Sequence, residues 1–297
     1  MELTEEQWCE RQDKLVRLRK NPQVLRFLQV HHLDNAFLEK NASYFVSWLE
    51  NLNKCKNCQG KEFCRQRIPG KVCNLCIDEF GYLSEEYVSC RYEKNEEEKI
   101  GHEKYYRICH GTRKDLMIDF FNIQLENESQ AYIDVYNKIA ESLESKKGIY
   151  LFGQPGTGKS YLMWAISNYY AKHEIKVSYV KVPMLIQNIK DSFQTSDSEY
   201  RQEIMAHLRF SKVLILDDIG SEKTSVWERD DILYPLLEYR MNHHLKTYFA
   251  SNYTMEDLER QYRFPSEEEN TQVASMRLIE RVRSLATSVA LLGKSRR

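Results

Sequence analysis

The stretch GIYLFGQPGTGKSYLMWAI holds the residues best able to do chemistry. Gln154, Pro155, Gly156 and Thr157 separate Gly153 from Gly158, Lys159 and Ser160, and Tyr161 follows. Glycines at this spacing let backbone N–H groups curl round a phosphate. Lys159 brings a point charge to the β/γ oxygens, and the Ser160 hydroxyl is a ligand for Mg²⁺. Such a pattern also arises by accident. Here a short apolar run, 149–152, reads as a strand before it, and an amphipathic segment, 160–172, reads as a helix after it, which is the setting the chemistry requires. ATP with Mg²⁺ is therefore the expected ligand.

Two further strand ends could complete that chemistry. KVLILDDIG is an apolar strand ending in Asp217 and Asp218. Asp217 would hold Mg²⁺ through its water shell, and Asp218 would orient or deprotonate the attacking water. YFASNY places Asn252 at the end of another apolar strand, where an amide could bond the lytic water or the γ-phosphate, and Thr254 is the better cap for the helix that follows. The chain closes on RLIERVRSLATSVALLGKSRR, with Arg277, Arg281, Arg283, Arg296 and Arg297. A terminal basic run is ordinarily solvated, but beside a phosphate site some of these arginines have an anion to serve.

Strands and helices must position these residues. From 113 onward the pattern alternates: VSYVKV as strand, PMLIQNIKDSF as a helix opened by Pro183, KVLILDD as strand, WERDDILYPLLEYRMNHH as helix and KTYFASN as strand. That alternation predicts an α/β fold with a parallel sheet flanked by helices. Residues 1–50 read instead as short helices, from apolar residues recurring at three to four. The charged stretch YEKNEEEKIGHEK reads as a solvated connector, which puts the domain boundary near 112 and gives units 1–112 and 113–297.

Composition narrows the function classes. With 43 basic and 44 acidic residues in 297, the net charge of −1 gives no global field for nucleic acid or membrane, so any such binding is local. No apolar run is long enough to span a bilayer, and MELTEEQWCERQDK lacks the layout of a signal peptide, so a cytoplasmic protein is expected. Six of the eight cysteines fall between Cys55 and Cys90, a clustering that favours metal over disulfides in a reducing compartment. Cys55-x-x-Cys58 and Cys73-x-x-Cys76 would by themselves make a tetrahedral thiolate Zn²⁺ site that staples a segment poor in apolar periodicity. Such a site contributes folding energy, not chemistry. Trp8, Tyr44 and Trp48 are candidates for a partner surface, with core packing the commoner role for such residues.

The order of P-loop, acidic strand, strand-end Asn and distal arginines resembles the AAA+ ATPases. Within them, GQPGTGKSYLMWAISN, VLILDDIG, ASNYTMEDLE and RLIERVRSLA…GKSRR look like the DnaI/DnaC group of replicative helicase loaders. The resemblance covers essentially the whole chain, since DnaI-type loaders carry a cysteine-rich N-terminal domain, and it implies no lid beyond residue 297. It implies an ATPase, preceded by a small helical zinc-binding domain, that binds the hexameric replicative helicase and delivers it to single-stranded DNA with other primosome proteins. Self-association would run through the ATPase domain. By position, Arg281 matches the arginine finger acting on a neighbouring subunit's nucleotide. Arg297 matches the sensor arginine acting in cis, with Arg296 or Arg283 as alternatives. The zinc set it implies is Cys55, Cys58, Cys73 and Cys90, with Cys76 as the rival to Cys90. The helix with Lys181, Lys190 and Phe193 is a candidate for the strand contact. Two other readings stand beside it: a transposition helper ATPase, which shares the ATPase core but usually lacks the cysteine block, and, of a different class, a zinc-containing DNA-binding regulator with a nucleotide switch. Against the last, the cysteine block has no helix rich in Arg and Asn to read bases.

Overall fold

The computed structural model describes residues 5–195, 197–264 and 270–293. The chain divides into two compact units, Met1–Lys99 and Ile100–Arg297.

The first unit opens with four helices, α1 (Glu5–Lys20), α2 (Pro22–Val30), α3 (Asn35–Lys40) and α4 (Ala42–Lys54). Asn21 caps α2 through its side chain, with Pro22 at the first helical position, where a missing N–H costs nothing. Asp34 caps α3 in the same way. Val24, Phe27, Leu28, Leu38, Phe45 and Trp48 form the core, with Phe27 and Phe45 edge to face at 5.4 Å. Trp48 thus packs inside, while Tyr44 is exposed and the Trp8 side chain lies outside the described residues. The cysteine block contains an antiparallel hairpin, β1 (Lys71–Ile77) with β2 (Leu83–Ser89), and the stretch read as a connector forms α5 (Arg91–Lys99).

The second unit is a six-stranded sheet in the order β3-β5-β6-β7-β4-β8, and every pairing in it is parallel. The strands are β3 (Tyr106–Cys109), β4 (Gly148–Phe152), β5 (Val177–Lys181), β6 (Val213–Asp217), β7 (Lys246–Ser251) and β8 (Ala286–Ala290). Because β3 joins this sheet, the boundary expected near 112 moves back to Lys99/Ile100. Helices cover both faces: α6 (Arg113–Leu116), α7 (Gln130–Glu144), α8 (Lys159–Lys172), α9 (Val182–Gln194), α10 (Ser198–Phe210), α11 (Tyr234–Asn242), α12 (Met255–Gln261) and α13 (Asn270–Leu285). Side chains alternate between the faces. Ile149, Leu151, Val213, Ile215, Tyr248 and Ala250 pack with α7 and α8, whereas Tyr150, Leu214, Leu216 and Phe249 pack with α9 to α13. A π-helical turn, Glu228–Leu233, precedes α11, in the stretch read as one regular helix. Among the described residues no helix is long and apolar enough to cross a membrane.

Candidate functional site

Parallel strands put their C-terminal ends on one edge of the sheet, and the predicted phosphate chemistry collects there. The loop after β4 runs from Gly153 to Gly158 and feeds directly into α8. Gly158 has φ +98°, a left-handed conformation that a side chain resists, and a Cβ at Gly153 would collide with the Leu291 carbonyl oxygen. Thr157 is buried and closes the turn by donating from Oγ1 to the Gln154 carbonyl at 2.9 Å. Gln154, Pro155 and Tyr161 are exposed along the same rim.

Lys159 is buried, and its Nζ donates to the Gly153 carbonyl (2.8 Å), the Gln154 carbonyl (2.9 Å) and Asn252 Oδ1 (2.8 Å). One ammonium therefore ties the loop to the end of β7. Asn252 donates in turn to Ser221 Oγ at 3.3 Å, and Thr254 caps α12, as expected. Ser160 Oγ donates to Asp217 Oδ1 at 3.2 Å. Asp217 is 0% exposed, and its Oδ2 accepts from Tyr179 OH at 2.7 Å. Burial pushes the Asp217 carboxyl up, with the Asp218 charge adding to it, while the donors Tyr179 and Ser160 pull it back toward the anion. Asp218 follows with φ +57° and faces the cleft.

The cleft over this edge has a volume of about 780 Å³. It is lined by Gly156, Gly158, Lys159, Ser160, Asp218 and Asn252 and by residues of the segment from Asn122 to Tyr132. A hydroxyl and a carboxylate 3.2 Å apart are hard oxygen donors suited to Mg²⁺, and the loop above them suits a polyphosphate. The arrangement can bind a nucleoside triphosphate and place two carboxylates and an amide round its terminal phosphate.

Tyr179 and the 122–132 segment are absent from the sequence reading. A tyrosine in the middle of an apolar strand is a weak signal for Tyr179, because a buried hydroxyl demands a partner. The loop before α7 carries no comparable signal.

Arg281 does not line the cleft of its own chain; its Nη2 donates to Tyr234 OH (3.0 Å) and Glu238 Oε1 (3.1 Å). Arg283 donates from Nη1 to Glu280 and from Nη2 to Glu256, both at 3.0 Å. Arg296 and Arg297 lie outside the described residues. On α9 and α10, the exposed Phe193 has the Arg201 guanidinium 4.3 Å from its ring centroid.

The cysteines expected to hold zinc lie in the first unit. Among the described residues no three of His, Cys, Asp and Glu come together as a metal site. Cys55 and Cys58 do form a tight turn, Cys58 N–H donating to the Cys55 carbonyl at 3.2 Å. Cys73 and Cys76, however, lie within the regular pairing of β1, which runs from Lys71↔Ser89 to Ile77↔Leu83. Residues three apart on a strand point to opposite faces, so Cys73 and Cys76 do not share a face of the hairpin. Cys73 is buried, and burial together with Glu85 pushes its thiol up. Cys76 Sγ lies 3.0 Å from Ser84 Oγ, and the Cys90 N–H donates to the Gly70 carbonyl at 2.8 Å.

Fold and site together define a P-loop ATP-binding protein of α/β architecture. The chain belongs to the family of IstB-like ATP binding proteins, whose pattern matches residues 136–288. It is similar to the replicative helicase loader DnaI of Bacillus subtilis, 26% identical over 94% of this chain and 90% of the relative. The replicative helicase loader DnaC of Buchnera aphidicola from Schizaphis graminum is 27% identical over 45% of this chain and 54% of its own. A crystal structure of DnaI superposes with TM-score 0.56 and 31% identity, covering 64% of this chain and 98% of that one.

Proposed function

We propose that this chain is an ATP-driven loader of the replicative DNA helicase, passing a hexameric ring to single-stranded DNA during primosome assembly in the cytoplasm. The observation that carries the reading is the reach of the similarity. The match to DnaI takes in 94% of the chain and so extends through both units, where a P-loop core alone would be common to many motors. In this reading Lys159 neutralises the β/γ oxygens and Ser160 and Asp217 hold Mg²⁺. Asp218 orients the attacking water, and Asn252 senses the γ-phosphate. Arg281 acts in trans on the nucleotide of a second subunit, and Arg297 in cis. The first unit meets the helicase, and the exposed Phe193 with Arg201 offers a stacking and phosphate contact to the displaced strand.

A transposition helper ATPase is the second reading, because the family pattern covers only residues 136–288 and leaves the first unit outside it. Size-exclusion chromatography of the full chain with the cognate hexameric helicase, with and without ATP, separates them. Nucleotide-dependent co-elution, followed by transfer of the helicase to single-stranded DNA, is expected. An absence of any complex in all nucleotide states would refute the loader reading.

A further inference from the structure

Among the described C-terminal arginines, one alone is both anchored and left with a terminal nitrogen to give. Arg283 spends both terminal nitrogens on carboxylates, Glu280 and Glu256. Arg281 makes both of its hydrogen bonds through Nη2. Its Nε is buried without a hydrogen-bond partner, and Nη1 makes no bond within the described chain and is not enclosed, the side chain being 22% exposed.

The anchor is built from one face of α11. Tyr234 and Glu238 are four residues apart on the helix and therefore neighbours. The Tyr234 hydroxyl accepts from Arg281 Nη2 and lies 3.3 Å from Glu238 Oε1, to which it donates, which closes a triangle of three groups. The Tyr234 ring lies under the guanidinium, 5.0 Å from centroid to Cζ. Arg281 itself sits beside Leu278, Ile279, Val282 and Leu285, whose burial fixes the face that α13 turns to the core. An ion pair of this exposure does little for stability. Its physical effect is orientation: a flexible side chain is fixed in plane by a ring and in direction by two acceptors.

We propose that Tyr234 and Glu238 are positioning residues for Arg281, holding its guanidinium so that Nη1 faces outward toward the nucleotide of a second copy of this chain. The inference rests on the reading of Arg281 as a residue acting in trans. It also selects Arg281 over Arg283 on geometry.

The test compares steady-state ATP turnover of full-length Glu238→Ala, Glu238→Gln, Tyr234→Phe and Arg281→Ala, alone and mixed with Lys159→Ala subunits. Deleting the finger is expected to lower kcat by about 10³-fold. Misplacing it by an ångström costs up to about 10²-fold, so Glu238→Ala should lower kcat by roughly 10- to 100-fold with KM for ATP unchanged. Glu238→Gln, which keeps an acceptor, should recover part of the loss, and Tyr234→Phe, which keeps the ring, should show a smaller one. Lys159→Ala subunits cannot turn over ATP but still present an intact Arg281, so adding them should restore turnover to Glu238→Ala subunits. Wild-type kcat in Glu238→Ala, or a loss that mixing does not restore, would overturn the positioning role even where Arg281→Ala is restored. Failure to restore Arg281→Ala itself removes the trans reading and this inference with it. Thermal melting of each variant separates a folding defect from either result.

Discussion

Tyr179→Phe isolates one hydrogen bond at the centre of the site. The phenyl ring keeps the stack on Trp164, 3.6 Å between centroids at 11°, so packing is preserved and only the 2.7 Å bond to Asp217 is lost. A hydrogen bond to a charged group contributes about 1.5–3 kcal/mol, and about 1.36 kcal/mol is a tenfold change in proton affinity, so the carboxyl should hold its proton roughly 10- to 100-fold more tightly. The direction is upward, since the hydroxyl stabilises the anion and burial already raises the group. Protons then compete with Mg²⁺ at a higher pH than in the wild type. At pH values low enough for the proton to win in both proteins, Mg²⁺-dependent nucleotide binding is weaker in the variant by that same factor of about 10 to 100; at high pH the two proteins converge. Titrating Mg²⁺ against a fluorescent ATP analogue across a pH series that spans both limbs measures the difference. A Tyr179→Phe profile that overlays the wild type at every pH would show that Tyr179 does not set the charge of Asp217.

Lys159→Ala removes the only ammonium that, among the described residues, bonds the loop carbonyls and Asn252, and nucleotide affinity should fall by at least about 10²-fold; equilibrium dialysis showing unchanged affinity would sink the phosphate-site assignment. Glu228 is 0% exposed, and burial with the neighbouring Glu222 carboxylate pushes its carboxyl up from 4.5 to about 9, Lys190 opposing the change. The folded chain therefore keeps a proton that the unfolded chain gives up between those values, and this group's contribution to stability falls as pH rises across that window. Glu228→Gln stays neutral, so its melting temperature should exceed the wild type increasingly as pH rises from about 5 to about 8.5; parallel curves would refute the buried-proton account.

The candidate phosphate loop was legible because the chemistry it would serve is local. Consecutive backbone N–H groups bind a phosphate, so the loop must be one contiguous string, and Gly153 to Ser160 is that string. Asp217 and Asn252 were legible for a different reason. A parallel sheet brings strand ends to one edge whatever the chain separation, so Ser160 meets Asp217 across 57 residues and Lys159 meets Asn252 across 93. β8 escaped the sequence reading because α13 ends at Leu285 and the strand begins at Ala286, with no Gly or Pro between them to mark a break. β3, at the edge of the sheet, is only four residues long and half-buried. The cysteine block was legible as a spacing but not as a secondary structure. Cys-x-x-Cys reads as a turn that holds a metal, but KVCNLCI is equally an alternating strand, and pairing with β2 made it one.

The arginines mark where local reading ends. Charge density in RLIERVRSLATSVALLGKSRR singles out no member, because solvated and working arginines have the same composition. What distinguishes Arg281 is its environment: a ring and a carboxylate on α11, 47 and 43 residues earlier in the chain, against the two carboxylates that occupy Arg283. Tyr234 and Glu238 carry no motif, since any helix facing α13 with an aromatic and an acid four residues apart would satisfy the same geometry. A catalytic arginine that works across subunits needs two things at once: enough contact within its own chain to hold a direction, and a nitrogen left over for the neighbour. A guanidinium with its donors in a fixed fork supplies both where a lysine could not, because one nitrogen can be anchored without turning the other away. On that argument Arg281→Lys should turn over ATP little better than Arg281→Ala, although the charge is retained. Near-normal turnover in Arg281→Lys would mean that charge alone suffices and that the fork held by Tyr234 and Glu238 is incidental.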